Sequence, residues 1–146
     1  MQSSNSPIPV FGSLNPAIEY KLRPAAYVVI TDRQGRIAAV KGNSHYFLPG
    51  GGSLPGESPE QTVVREVREE LAYDVCIIRQ IGKAIQYFYA DERHYQMEAV
   101  FFAGQFANKV KGTGENELYW LESVHIETDF YHQSHAWAVA QLRISI

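Results

Sequence analysis

Glu66, Glu69 and Glu70 stand at i, i+3 and i+4 in a stretch that reads as helical, so their carboxylates share one arc of the helix surface. Like charges at that spacing repel unless water or a cation lies among them. Glu57 lies just before the helix, and within it only Arg65 and Arg68 are basic. On these residues alone two readings are open. One is a solvated acidic face. The other is a site for a hard divalent cation such as magnesium, which prefers oxygen ligands, keeps several waters and is completed by substrate phosphate. The preceding Gly50-Gly51-Gly52 run could supply a carbonyl ligand or backbone N–H groups for that phosphate, because glycine lets the backbone take positive φ and approach a ligand closely. Three consecutive glycines read as a loop and not as the interior of a helix or strand.

The helix that must carry the glutamates is signalled locally. Ser58 is a suitable N-cap, Pro59 fits the first helical position, and Gln61 completes a capping box. This predicts a helix to about Leu71, with Val63, Val64, Val67 and Leu71 in one arc of about 100° facing the core. The glutamate arc is centred about 120° away from it. Residues 1–20, with Pro7, Pro9 and Pro16, read as an extended or frayed arm, and residues 21–146 as a single domain. The runs 25–31 and 37–40, separated by Asp32-Arg33-Gln34-Gly35, read as a hairpin. Downstream, 75–78, 84–89 and 99–106 read as three strands of an antiparallel meander, with turns at Gly82-Lys83 and at 90–94. Residues 108–116 read as a loop and 118–121 as a short apolar segment. Ala136, Val139, Ala140 and Leu142 mark a closing helix from Ser134 or His135 to about Arg143.

Composition narrows the field. A chain of 146 residues accommodates one core, and 45% hydrophobic with 12% aromatic residues is ample to pack it. The formal charge of -3 argues against a protein that binds nucleic acid polymers non-specifically. Cys76 is the single cysteine, which excludes an intrachain disulfide and a cysteine-based zinc site. The five histidines form no transition-metal pattern. No basic leader or membrane-length apolar run is present, so the expectation is a cytoplasmic protein without a membrane partner. Lys41, at the end of a predicted strand, is either a solvated lysine or one that reaches a phosphate. Tyr46, Phe47, Tyr87, Tyr89 and Trp120 either fill the core or stack on a base.

The spacing adds a resemblance. Gly51, five residues, Glu57, seven residues, then Arg65-Glu66-Val67-Arg68-Glu69-Glu70-Leu71-Ala72-Tyr73 resembles the Nudix hydrolase signature G-x5-E-x7-R-E-U-x-E-E-x-G-U, where U is bulky and apolar. All charged and glycine positions from Gly51 to Glu70 match. Ala72 replaces the usual glycine just past the helix, where positive φ is expected and alanine costs about 1 kcal/mol or shifts the helix end. Leu54 stands where many members carry another glutamate, and Tyr73 is aromatic at a usually aliphatic position.

The resemblance implies an α/β fold, an α/β/α sandwich with a mixed sheet, in which the signature loop–helix–loop holds magnesium or manganese. It implies hydrolysis of the diphosphate linkage in a nucleoside diphosphate joined to another group, X. Carried over by position, Glu66, Glu69 and Glu70 are the expected metal ligands, with Glu57 a further carboxylate nearby and Gly50 or Gly51 a carbonyl donor. Arg65 corresponds to the arginine that orients a catalytic glutamate, and Glu66 or Glu69 is the expected general base. Glu115 and Glu117 are the distant-loop alternatives for that base. Lys41, Phe47 and Gly51 are weaker candidates for substrate contacts.

The first expectation for substrate is a (d)NTP, as in a housecleaning pyrophosphohydrolase, and the next is ADP-ribose or a nucleotide sugar. A nucleotide-binding regulator on the same fold commonly loses signature carboxylates, and none is lost here. An isopentenyl diphosphate isomerase needs a catalytic cysteine, whereas Cys76 falls in a predicted strand beyond the helix. The proline-containing arm is a candidate element for exchange in a homodimer.

Overall fold

The run Ala25–Ile30 is buried on both faces, which is why it shows no polar alternation. Ala25, Tyr27 and Val29 enter one core cluster, while Ala26, Val28 and Ile30 enter the other. In the computed structural model, which describes residues 7–144, this run forms most of a central strand.

The strands are β1 Val10–Phe11, β2 Lys21–Val29, β3 Ile37–Gly42, β4 His45–Phe47, β5 Gly50–Gly52, β6 Tyr73–Ala90, β7 Arg93–Lys109 and β8 Tyr119–Leu121. The α-helices are α1 Pro59–Leu71, the short α2 Ile126–Asp129 and α3 Gln133–Ile144. A five-stranded sheet runs β1-β6-β7-β2-β5, and a three-stranded sheet runs β4-β3-β8. The first is mixed: β1 with β6 and β2 with β7 are parallel, whereas β6 with β7 and β2 with β5 are antiparallel. Helix α1 contributes Val63 and Val67 to one core, and α3 contributes Ala138 and Val139 to the other. The result is the α/β architecture expected from the sequence.

Several local expectations are corrected. The turn at Asp32–Gly35 forms, with Asp32 Oδ1 accepting from the Gln34 and Arg36 amides, but pairing across it ends after the Thr31–Ile37 bridge. Beyond that point β2 pairs with β5 and β7, while β3 joins the second sheet with β4 and β8. Residues 73–90 form one strand rather than two. Its register shifts near Ile77/Arg79 and Gln80/Gly82 are bulges that bend it. Gly82 is read as a turn residue in sequence, yet it lies within the strand, where an added Cβ would sit 3.1 Å from Trp137 Cη2.

The three glycines form β5 instead of a loop, paired with Ala25–Tyr27. Their missing side chains permit it: a Cβ on Gly50, whose φ is +141°, would lie 2.2 Å from the Ala26 carbonyl oxygen. Val64, expected in the core, is 38% exposed, and Thr62 is buried in its place. The Thr62 hydroxyl donates to Glu57 and lies 2.7 Å from Ser53 Oγ, so this helix face closes on the loop before it. In α3 the buried positions are Ser134, His135, Ala138 and Val139, an arc rotated by about a quarter turn from the expected stripe, with Val139 common to both. Residues 1–6 of the expected arm lie outside the described residues, and Val10–Phe11 pair in parallel with Ile85–Gln86.

Candidate active site

Helix α1 begins as its sequence dictates. Ser58 Oγ accepts from the Gln61 amide at 3.1 Å, and Gln61 Oε1 accepts from the Ser58 amide at 2.9 Å. At the other end Ala72 adopts the left-handed conformation, φ 57° and ψ 44°, and its N–H donates to the Arg68 carbonyl. Alanine therefore takes the glycine geometry, and the helix end does not shift.

Arg65 is the hub of the loop–helix unit. Its Nε donates to Glu57 Oε2 at 2.7 Å and its Nη2 to Glu57 Oε1 and the Gly52 carbonyl, both at 3.0 Å. Its Nη1 donates to Glu69 Oε1 at 3.1 Å and lies 3.5 Å from Glu66 Oε2. Glu57 also accepts from the Leu54 amide and from Thr62 Oγ1. The Arg65 fork, helped by these donors, holds the Glu57 carboxyl down to about 2, so it is ionised at any ordinary pH.

Glu66 and Glu70 face a different environment. A Cβ on Gly51 would sit 2.4 Å from Glu66 Oε2, so the glycine makes room for this carboxylate against the β5 backbone. Glu70 Oε1 accepts from the Gly50 amide at 3.1 Å. Burial, reinforced by the charges of Glu66, Glu115 and Glu69, pushes Glu70 up to about 8 despite that hydrogen bond. Glu66 is likewise raised, chiefly by burial, with Arg65 opposing. The loop after β7 is pinned here by the Glu115 and Asn116 amides, which donate to the Glu69 and Glu70 carbonyls. Gly114 allows that docking, since its Cβ would meet the Glu70 carbonyl oxygen at 2.2 Å.

Glu66, Glu70, Gly50 and Gly51 line a cavity of about 360 Å³, which Lys41, Phe47, Arg23, Phe88, Tyr95, Asp91, Asn116 and His132 also help to line. Glu69, Glu57, Glu115 and Glu117 are not on its wall. Glu69 is half exposed, and Glu117 accepts from Tyr119 Oη at 3.3 Å. Lys41 Nζ lies 5.4 Å from the Tyr46 ring centroid. Of the other aromatic candidates, Trp120 packs against Phe106, Tyr87 against Tyr20 and Tyr89 against His94.

Among the described residues no three His, Cys, Asp or Glu side chains converge into a ready-made cage. The donor chemistry nevertheless fits a hard cation. Glu66 and Glu70 are neighbouring carboxylates, the charge of Glu66 raising the proton affinity of Glu70. Glu70 has no ion-pair partner among the described residues, while Glu66 shares Arg65 with Glu57 and Glu69, and the Gly50–Gly52 backbone is beside them. Sequence reasoning found Lys41 and Phe47 but missed Arg23, Phe88, Tyr95, Asn116 and His132. Arg23 had no distinct signal, since Lys21 is a second cation in the same strand.

The NUDIX domain profile matches residues 21–137. A Bacillus subtilis (strain 168) protein provisionally named an 8-oxo-dGTP diphosphatase is 35% identical over 71 residues, 47% of this chain and 48% of that protein. An RNA pyrophosphohydrolase from Photorhabdus laumondii is 37% identical over 70 residues, 44% of this chain and 40% of that protein. The matched region thus spans about half or less of these curated relatives. The crystal structure of a MutT protein from Methanosarcina mazei Go1 shares the fold, with a TM-score of 0.68 at 23% identity, covering 88% of this chain and 98% of that one.

Proposed function

Because this chain belongs to the NUDIX domain family, we propose that it is a divalent-metal-dependent hydrolase of the diphosphate linkage in a nucleoside diphosphate joined to another group, with a (d)NTP as substrate. The observation that carries this reading is the pairing of Glu66 and Glu70 with the glycine strand on the wall of a cavity that Phe47, Phe88 and Tyr95 also line. The name of the Bacillus relative supports a nucleoside triphosphate as substrate, and an ADP-ribose or nucleotide-sugar substrate is the alternative.

In this reading Glu66, Glu69 and Glu70, with the Gly50 carbonyl and Glu57 nearby, hold magnesium or manganese. When bound, such an ion neutralises the diphosphate, polarises its phosphoryl oxygens and lowers the pKa of coordinated water. Arg65 fixes the loop through Glu57 and orients Glu69, leaving Glu66 or Glu69 to accept the proton of the attacking water. Lys41, at the cavity wall, donates to a phosphate oxygen. Residues 21–146 act as one catalytic domain.

Phosphate and pyrophosphate release from canonical and oxidised (d)NTPs, ADP-ribose, nucleotide sugars, dinucleoside polyphosphates and 5′-triphosphorylated RNA tests this reading. The last substrate is included because of the RNA pyrophosphohydrolase relative. Turnover of (d)NTPs that needs magnesium or manganese is expected. Folded protein that binds nucleotides and releases no product from any of them would favour a binding regulator instead.

A further inference from the structure

His132 is a buried side chain, 5% exposed, on the wall of the same cavity, and its imidazole makes no hydrogen bond among the described residues. A buried polar group without a partner is costly, and one that faces a cavity is poised to find its partner in a ligand. Its neighbour His135 is off the cavity wall and is engaged at Nδ1, which accepts from the Leu48 amide at 3.0 Å, while its Nε2 is enclosed without a partner among the described residues.

The surroundings of His132 select the ligand. Phe47 and Phe88 each meet the imidazole at a steep angle, 65° and 61°, with centroids 5.5 and 4.8 Å away. A flat ligand lying along either ring would therefore present its edge to the imidazole. Phe88 stacks on Tyr95 at 5.1 Å, and the Arg23 guanidinium lies 5.8 Å from the Tyr95 centroid. Arg23 reaches along the wall toward the glycine strand, where a Cβ on Gly52 would lie 3.3 Å from its Cζ, and it has no carboxylate partner among the described residues. A guanidinium offers donors only, and a neutral imidazole offers one donor and one acceptor. Burial, with the charge of Arg23, holds His132 down to about 4, so it is neutral in ordinary buffers.

We propose that the part of the cavity lined by Phe47, Phe88, Tyr95, Arg23 and His132 is a nucleobase subsite in which His132 and Arg23 read the base edge and select guanine. Two donors from Arg23 and His132 match the adjacent O6 and N7 acceptors of guanine, whereas adenine places an amino donor beside N7. The inference rests on the hydrolase reading only for the diphosphate that would lie against Glu66 and Glu70.

The test is calorimetric binding of guanosine, adenosine and cytidine monophosphates and of ribose 5-phosphate, in EDTA so that no metal or turnover is involved. Guanosine monophosphate is expected to bind at least tenfold more tightly than the other three. His132→Phe is expected to reduce that preference to within about twofold, and His132→Gln, which keeps a donor and an acceptor, to restore part of it. On the unaltered protein, guanosine monophosphate is expected to move the 15N resonances of the His132 ring, a readout that survives if a variant fails to fold. Equal binding of all four ligands, retention of the preference in folded His132→Phe, or unmoved ring resonances would overturn the proposal. Guanine-selective binding by a protein that hydrolyses nothing would keep this subsite and remove the hydrolase reading, and turnover with indifferent base binding would do the reverse.

Discussion

Arg65 grips Glu57 through two parallel hydrogen bonds, 2.7 Å from Nε to Oε2 and 3.0 Å from Nη2 to Oε1, and so ties the loop before α1 to the helix that carries the glutamates. Lysine has the charge but not the fork. Arg65→Lys is therefore expected to lower kcat by about 10- to 100-fold while the protein stays folded. Circular dichroism alongside steady-state kinetics checks this, and unchanged kcat would show that the fork does not position the site.

Gly50 and Gly51 should respond differently to the same added methyl group. In Gly50→Ala the methyl meets backbone, at Ala26 O and Tyr27 Cα, and φ is +141°, so a stability loss of about 2 kcal/mol or more is expected. In Gly51→Ala the methyl meets the end of the Glu66 side chain, which can move. Gly51→Ala is expected to melt within a few degrees of the unaltered protein yet lose activity by about 100-fold, as thermal melts paired with kinetics would reveal.

Ser58 contributes to folding rather than chemistry. Ser58→Ala removes the oxygen that accepts from the Gln61 amide and is expected to cost about 1 kcal/mol, read as a drop of a few degrees in Tm.

The buried histidines predict acid sensitivity. His132 is lowered to about 4 and His135 well below its ordinary value, in both cases chiefly by burial. Unfolded imidazoles titrate near 6.5, so the unfolded chain binds more protons below that pH. The histidine contribution to stability is fully present above pH 6.5 and falls as the pH drops toward 4, by on the order of 3 kcal/mol from His132, while Glu70, raised to about 8, acts with the opposite sign over the same range. Urea unfolding between pH 7 and 4 should show the His132 contribution as the difference in slope between the unaltered protein and His132→Phe, about one proton. A slope that His132→Phe leaves unchanged would show that another group carries it.

The parts legible in the sequence are those that lie close together along the chain. The capping box, the glutamate arc and the glycine run occupy residues 50–71, and local periodicity and turn chemistry suffice to orient them. The cavity wall is assembled otherwise. Phe88 and Tyr95 face each other across the β6–β7 hairpin, whereas Arg23, Asn116 and His132 come from β2, the loop after β7 and the residue before α3. Only the assembled sheet brings these together, so no single local pattern announces the wall. Residues 73–90 read as two strands for a similar reason. A glycine under Trp137 looks like a turn until the helix that covers it is in place. Val64 shows the limit of periodicity, since Thr62 takes the inward position, its hydroxyl donating to Glu57 and to the Ser58 carbonyl, and Val64 is left outside.

The central claim is that the carboxylates facing the glycine strand drive metal-dependent hydrolysis of a nucleoside diphosphate linkage. Its most direct measurement is kcat of the Glu66→Gln protein on the best (d)NTP substrate at saturating magnesium, with folding verified by its melt. Glu66→Gln keeps nearly the same shape against Gly51 and removes only the charge. The account predicts a loss of at least 100-fold with little change in Tm. A folded Glu66→Gln protein that turns over as fast as the unaltered one would contradict it.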